Sequence, residues 1–299
     1  MWSSLLLTDA GSDPVIFSGV SIIPAEDPIM LCDGVERAEV DHVLVVAPKS
    51  LARPLRLGVG ISVGRRPDLA ITWMVSEHAP LAILSAIALA QAATDQPAIG
   101  VDLIRRLLAN TWSGAWSHSV AKLDEPNPRL SQHLRSLLPG SGFLIRQSPL
   151  PAVLSQPRTD DVPSAGLDRV LLVQDGVVPA PVVKRLSQAA GITAVRQVAL
   201  PGRWTSVYGT DRTGQLCLMP ADAHALMEPV GHRCPSCLLA QTTVVCPYCR
   251  VLNQTAATPV PIPASLAALS DEPSLTTAQM SISAISEGRF RSSNSGGTA

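Results

Sequence analysis

Four cysteines carry the clearest chemical signal in the chain. They read Cys234-Pro-Ser-Cys237, then eight residues, then Cys246-Pro-Tyr-Cys249. A CxxC turn presents two thiolates to one ion while backbone N–H groups point at sulfur. Two such turns complete a tetrahedral Cys₄ site with metal–sulfur bonds of about 2.3 Å. Pro235 and Pro247 fix φ within each turn, and Leu238–Val245 is long enough for a short hairpin that brings the turns face to face.

On these residues, and over residues 234–249 alone, the chain resembles the zinc-ribbon family. The resemblance implies one structural Zn²⁺ held by Cys234, Cys237, Cys246 and Cys249. Zinc ribbons often place Gly directly after the second cysteine of a knuckle, where Leu238 and Arg250 stand here. A redox reading competes, because Cys246-Pro-Tyr-Cys249 following Thr-Val-Val looks like a glutaredoxin active site, in which a helix N-terminus activates the first thiol. That fold needs roughly 60 further structured residues, and a Ser- and Pro-rich tail stands there instead. Metal is therefore the expectation. Cys32 and Cys217 stand alone and read as small buried hydrophobes.

Other motifs are weaker. Gly60-Ile-Ser62-Val-Gly64 matches a nucleophile elbow, which requires a sharp strand-to-helix turn that exposes the serine. The next segment, Asp68-Leu-Ala-Ile-Thr-Trp-Met-Val, reads as a strand. No His-Gly-Gly motif supplies an oxyanion hole, and nothing ties His118 or His133 to Ser62. Gly58, Gly60 and Gly64 match neither the dinucleotide fingerprint nor a P-loop. Asp175-Gly176 reads as a turn at the end of a buried strand. Trp112 and Trp116 read as one helical turn apart, packed together. His232 precedes Cys234 by two residues and could orient a sulfur. No catalytic or organic-cofactor residue is assigned.

Charge narrows the partners. The formal net charge is −1, whereas nucleic-acid binding draws most of its affinity from basic excess. The distribution is uneven: residues 1–48 hold eight acids and one base, while 49–66 hold Lys49, Arg53, Arg56, Arg65 and Arg66 with no acid. Pairing of the two segments is the simpler expectation, and a phosphate-contact strip the alternative. The start of the chain lacks a basic n-region. The stretch His78–Thr94 is too short for a membrane span, so it reads as a buried helix. The cysteine spacing suits a reducing, cytoplasmic setting.

The elements that must position these residues suggest an α+β fold. Val15–Ile23, Val40–Ala47, Leu55–Val63 and Leu69–Val75 read as strands, with turns at Cys32-Asp33-Gly34 and Gly64–Asp68. Leu81–Thr94, Ile99–Asn110 and Arg129–Leu138 read as helices, followed by a strand at Phe143–Arg146. A β-α-β-β unit comes next: Val170–Gln174, Pro181–Ala190, Ala194–Leu200, then a hairpin of Trp204–Tyr208 with Gln215–Met219. The expected division is an α+β domain at 1–154, a linker at 155–166, a small α/β unit at 167–228, the ribbon at 229–254 and a disordered tail at 255–299. A docking motif is expected near Met280, Ile282 and Ile285. Taken together, the expectation is a non-enzymatic, zinc-stabilised protein–protein interaction or assembly factor. The alternatives are a nucleic-acid or ribonucleoprotein accessory factor using the ribbon and the 49–66 segment, and an enzyme with an unrecognised site.

Overall fold

The computed structural model describes residues 2–8, 15–17, 19–24, 27–123, 125–138, 140–154, 167–200, 208 and 213–253. The linker at 155–166, residues 204–207 of the expected Trp204–Tyr208 strand, the tail and its docking motif lie outside them. Mixed α/β architecture holds, with six α-helices and two large sheets among the described residues.

The first sheet has the order β2(Val15–Phe17)-β3(Val20–Pro24)-β1(Ser3–Thr8)-β4(His42–Pro48)-β5(Ala70–Ser76). All neighbours are parallel except the β2–β3 pair. Parallel neighbours cannot be joined by a hairpin, and the crossover is usually a helix. Two sequence readings fail for this reason. The Cys32-Asp33-Gly34 segment lies inside α1(Pro28–Glu36), which links β3 to β4, and Leu55–Val63 lies inside α2(Ala52–Arg65), which links β4 to β5. Leu55, Val59 and Ser62 form the buried face of α2, while Leu57 and Val63 are exposed, so the apparent two-residue alternation was coincidental. Gly58 lets α2 approach α1, since a Cβ there would sit 2.6 Å from Leu31 Cδ2.

α3(Pro80–Ala93) and α4(Pro97–Ala109) follow the sequence reading closely, each with proline in its first turn. They lie between the first sheet and a second, of order β10(Val195–Val198)-β9(Arg169–Gln174)-β11(Thr213–Pro220)-β6(Trp112–Ser117)-β7(Phe143–Ser148)-β8(Ala152–Leu154). One core joins Leu6, Leu44 and Val46 of the first sheet through Leu81, Ile87 and Leu107 to Leu172 and Met219 of the second. α1 and α2 cover the outer face of the first sheet, and α6(Ala180–Ala189) covers that of the second. Trp112 and Trp116 share a strand face in this outer cluster rather than a helix.

The second sheet takes β6–β8 from before residue 155 and β9–β11 from after residue 166, with β11 hydrogen-bonded between β6 and β9. A boundary at 155–166 therefore does not separate two cores. Nor does β11 complete an isolated hairpin; its described neighbours are β6 and β9. Among the described residues no helix is long and apolar enough to cross a membrane.

Candidate functional site

Ligands of open parallel sheets bind beyond the carboxyl ends of the strands. Here β4 ends at Pro48 and β5 at Ser76, and a cavity of ≈ 360 Å³ lies there. Lys49, Ser76, Glu77 and His78 line it from the first sheet, and Gln147 from the second. Gln147 reaches the cavity because of a bulge. Ser113 pairs with Ser148 but Gly114 with Arg146, which leaves Gln147 as the extra residue. Gly114 permits this close pairing: a Cβ there would sit 2.2 Å from the Ile145 carbonyl oxygen.

His78 ties the two sheets together at the cavity. Its Nδ1 lies 3.1 Å from Ser113 Oγ and its Nε2 lies 3.1 Å from Ser148 Oγ. Ser113 Oγ also accepts the Ala79 N–H at 3.2 Å. Each ring nitrogen thus faces a serine hydroxyl, which can donate or accept, so either tautomer of the neutral ring is satisfied here. Burial pushes the imidazole down to about 4, against a smaller upward pull from Glu77. His78 is therefore neutral near pH 7. Gln215 of β11 accepts the Leu81 N–H at 2.8 Å, so side chains of the second sheet satisfy the first orphan donors of α3.

The rim is charged. Lys49 pairs with Glu77 at 3.0 Å, both well exposed, and the hydrogen bond to Glu77 raises the Lys49 amine above its ordinary value. Nearby on the second sheet, Ala115, Phe143, Ile145 and Tyr208 pack with Val120 and Leu123 in a buried apolar cluster. The buried Tyr208 hydroxyl donates to Gln147 Oε1 at 2.9 Å, linking this cluster to a residue that lines the cavity. Burial raises the phenol well above its usual range.

The four cysteines form the second constellation. Their Sγ atoms all lie within 4.8 Å of one another, with Cys234–Cys249 at 3.3 Å, Cys237–Cys246 at 3.5 Å and Cys237–Cys249 at 3.8 Å. Tetrahedral thiolates around a metal at 2.3 Å would stand about 3.8 Å apart. The donor set thus fits one such ion. The two knuckles repeat the same backbone bonds: Leu238 N–H to Cys234 O and Cys234 N–H to Leu239 O, then Arg250 N–H to Cys246 O and Cys246 N–H to Val251 O. Leu238 and Arg250 take φ of 61° and 60°, the left-handed conformation that glycine would adopt without strain. Burial opposes thiolate formation at Cys234, but the N–H groups of Cys237 and Ser236 together with the neighbouring Cys249 and Cys237 thiols outweigh it and lower the thiol to about 6. No helix starts at Cys246, so the glutaredoxin reading fails. His232 serves the hairpin, with Nε2 3.0 Å from the Thr243 carbonyl, and does not orient a sulfur.

The knuckles are anchored to the body. Thr72 of β5 donates to the Pro247 carbonyl at 2.8 Å, Thr242 donates to Asp102 Oδ2 of α4 at 2.7 Å, and Tyr248 meets His42 edge-on at 5.1 Å.

The remaining expected sites are not assembled. Ser62 is buried within α2 and donates to the Gly58 carbonyl at 2.9 Å, so no nucleophile elbow exists. The basic 49–66 segment is largely paired. Arg65 lies 3.5 Å from Glu36, Arg66 2.9 Å from Asp68, and Arg56 stacks over Trp73. Cys32 and Cys217 are fully buried, as expected. Sequence reasoning missed His78, Ser113 and Ser148. The available signal was Ser76-Glu-His-Ala-Pro80, a short turn from a buried strand into a proline-started helix.

No family model and no curated protein matches the chain. Solved structures do resemble it. A DegV family protein from Eubacterium eligens, loaded with heptadecanoic acid, aligns at TM-score 0.51 and 10% identity over 74% of this chain and 99% of its own. A DegV family protein from Corynebacterium glutamicum aligns at 0.53 and 10%, over 76% and 98%. The fatty acid kinase B3 protein of Streptococcus pneumoniae, loaded with linoleic acid, aligns at 0.50 and 13%, over 74% and 99%. The likeness is one of fold. It overturns the expectation of a zinc-stabilised assembly factor, and with it the nucleic-acid alternative. About three quarters of the chain shares the fold of these proteins.

Proposed function

We propose that this DegV-like body binds the acyl chain of a fatty acid or a related lipid in the cavity between its two sheets. The observation that supports this most is the placement of the cavity. It lies at the carboxyl ends of β4 and β5, is lined from both sheets, and adjoins through Gln147 and Tyr208 a buried apolar cluster of the second sheet. Its volume falls in the range of small-ligand sites. An amphipathic ligand would set its polar end by Lys49, Ser76 and Gln147 and direct its hydrocarbon toward the packed cluster of Ala115, Ile145 and Phe143, which Tyr208 links to Gln147. Neutral His78 would hold the two sheets at a fixed separation.

The test is a chain-length series. Purified protein is extracted with organic solvent and the extract analysed by mass spectrometry, and saturated fatty acids are titrated against bound cis-parinaric acid. Burial of each added methylene is worth about 0.8 kcal/mol, so affinity should rise about fourfold per carbon until the chain fills the site. Ala115→Trp should abolish that gain. Absence of saturable binding at every length would overturn the proposal.

The cysteine cluster is proposed as a structural zinc-ribbon site holding one Zn²⁺, with all four positions taken by protein and none open for chemistry. A reducing, cytoplasmic setting follows from thiols kept free for metal.

A further inference from the structure

The charges that line the cavity bear on which head group it takes. Lys49 follows β4, Glu77 and His78 lie in the turn from β5 into α3, and Glu125 stands between β6 and α5(Leu130–Ser136). Among the described lining residues one lysine stands against two glutamates, which leaves one net negative charge before any ligand enters. Lys49 Nζ is already paired with Glu77 at 3.0 Å, and Glu125 acts on the same amine. His78 supplies no charge, being neutral near pH 7, and both its ring nitrogens face serine hydroxyls. Three further cations stand close in sequence and do not line the cavity. Arg53 and Lys122 are exposed to solvent, and Arg146 follows Leu144 onto the outer face of β7, where its Nε donates to the Leu150 carbonyl.

The uncharged polar groups narrow the choice. Gln147 Oε1 accepts the Tyr208 hydroxyl at 2.9 Å, which fixes the amide orientation and leaves the Nε2 hydrogens as donors. Ser76 Oγ accepts the His78 N–H at 3.2 Å, so its own proton can be given to a ligand. The ionised Glu77 and Glu125 can only accept. A head group that both accepts and donates satisfies this mixture. A free carboxylate accepts from Gln147 and Ser76 but has no proton for the glutamates. It must also draw Lys49 away from Glu77 and stand near Glu125 at like charge.

We infer that the cavity selects an acyl chain whose head is uncharged and carries an N–H or O–H, as in a fatty amide or a monoacylglycerol, and disfavours the free acid. The inference rests on the acyl-chain function proposed above, and it assigns the choice of head group to Glu77, Glu125 and Lys49.

Decanoic acid, decanamide, 1-monodecanoylglycerol and decylamine share one hydrocarbon length and differ at the head. Each is titrated into the full-length, metal-loaded chain at pH 7.5 and low salt, with displacement of the uncharged dye Nile red as the readout. The amide and the glyceride should bind about tenfold or more tighter than the acid. Raising salt should narrow that gap by screening the glutamates. Glu77→Gln with Glu125→Gln releases Lys49 and should shift the amide-to-acid ratio toward the acid by about tenfold, whereas Lys49→Gln should widen it. All three positions are exposed, so circular dichroism should confirm unchanged folding. Equal or tighter binding of the acid by wild type overturns the inference and leaves the acyl-chain reading standing. So does a ratio that neither variant moves. Tightest binding of decylamine also overturns it, in favour of a cationic head. Displacement by none of the four sinks the acyl-chain reading itself, and the inference with it.

Discussion

Replacing His78 by Gln should flatten the response of stability to acid. In the folded chain burial holds the imidazole down at about 4, from an ordinary 6.5. The native state therefore binds fewer protons than the unfolded chain between those two values. Its contribution is fully present above about pH 7. It is lost progressively as pH falls from 6.5, because the unfolded chain takes up a proton that the native state refuses, and the loss stops near 4. The full span corresponds to about 3 kcal/mol, of which about 2 kcal/mol should disappear between pH 7 and pH 5. Urea midpoints at pH 7.5, 6.0, 5.0 and 4.5 measure it. Wild type should lose stability steeply across the series, whereas His78→Gln should start lower, having lost the bridge between Ser113 and Ser148, and then decline less. Protonation of the cysteine cluster also destabilises the chain in acid, but it acts on both proteins and cancels in the difference. Parallel pH profiles for the two proteins would refute the assignment of His78 as a buried neutral tie.

The metal reading predicts that purified protein carries about one zinc per chain by elemental analysis, and that Cys237→Ser brings this close to zero and lowers the thermal midpoint. Retention of zinc by a Cys237→Ser, Cys249→Ser double variant would refute it. Thr72→Val should cost about 1–3 kcal/mol in urea denaturation, since it strips the buried Pro247 carbonyl of its donor. A smaller loss would mean that the knuckle is tethered mainly through Thr242 and Tyr248.

The helices were legible where proline marks a first turn and the apolar positions repeat at helical spacing, as in α3 and α4. Legibility failed at α2. There Leu55, Leu57, Val59, Ile61 and Val63 alternate like a strand, and only the parallel pairing of β4 with β5 forces the segment into a crossover helix. Sheet membership was equally hidden, because β11 enters between β6 and β9 from about a hundred residues away in sequence from β6, and no local pattern encodes that pairing. The cysteine cluster was readable because its chemistry depends on spacing along the chain. The cavity was not, because His78, Ser113 and Ser148 meet only after two sheets have formed around α3. The helix at Leu130–Ser136 was expected as a helix, but its periodicity alone could not say that Leu130 and Leu134 face outward.

Geometry also fixes how the two constellations can affect each other. Tyr248 of the second knuckle packs on His42, where β4 begins, while Pro48, where β4 ends, bounds the cavity. Six residues of extended chain separate them, about 20 Å. That exceeds the Debye length of about 8 Å at physiological ionic strength, so solvent screens much of the charge of a metal–thiolate cluster before it reaches the rim. The route left for coupling is mechanical: the knuckle buttresses the edge strand β5 through Thr72 and α4 through Asp102, and β5 runs on to Ser76 at the cavity. Metal loss should then act on ligand binding only as far as it loosens β5. A zinc-free chain that remains folded should keep its ligand preference while losing stability, which is the signature of a clamp on the sheet edge rather than of a participant in the cavity.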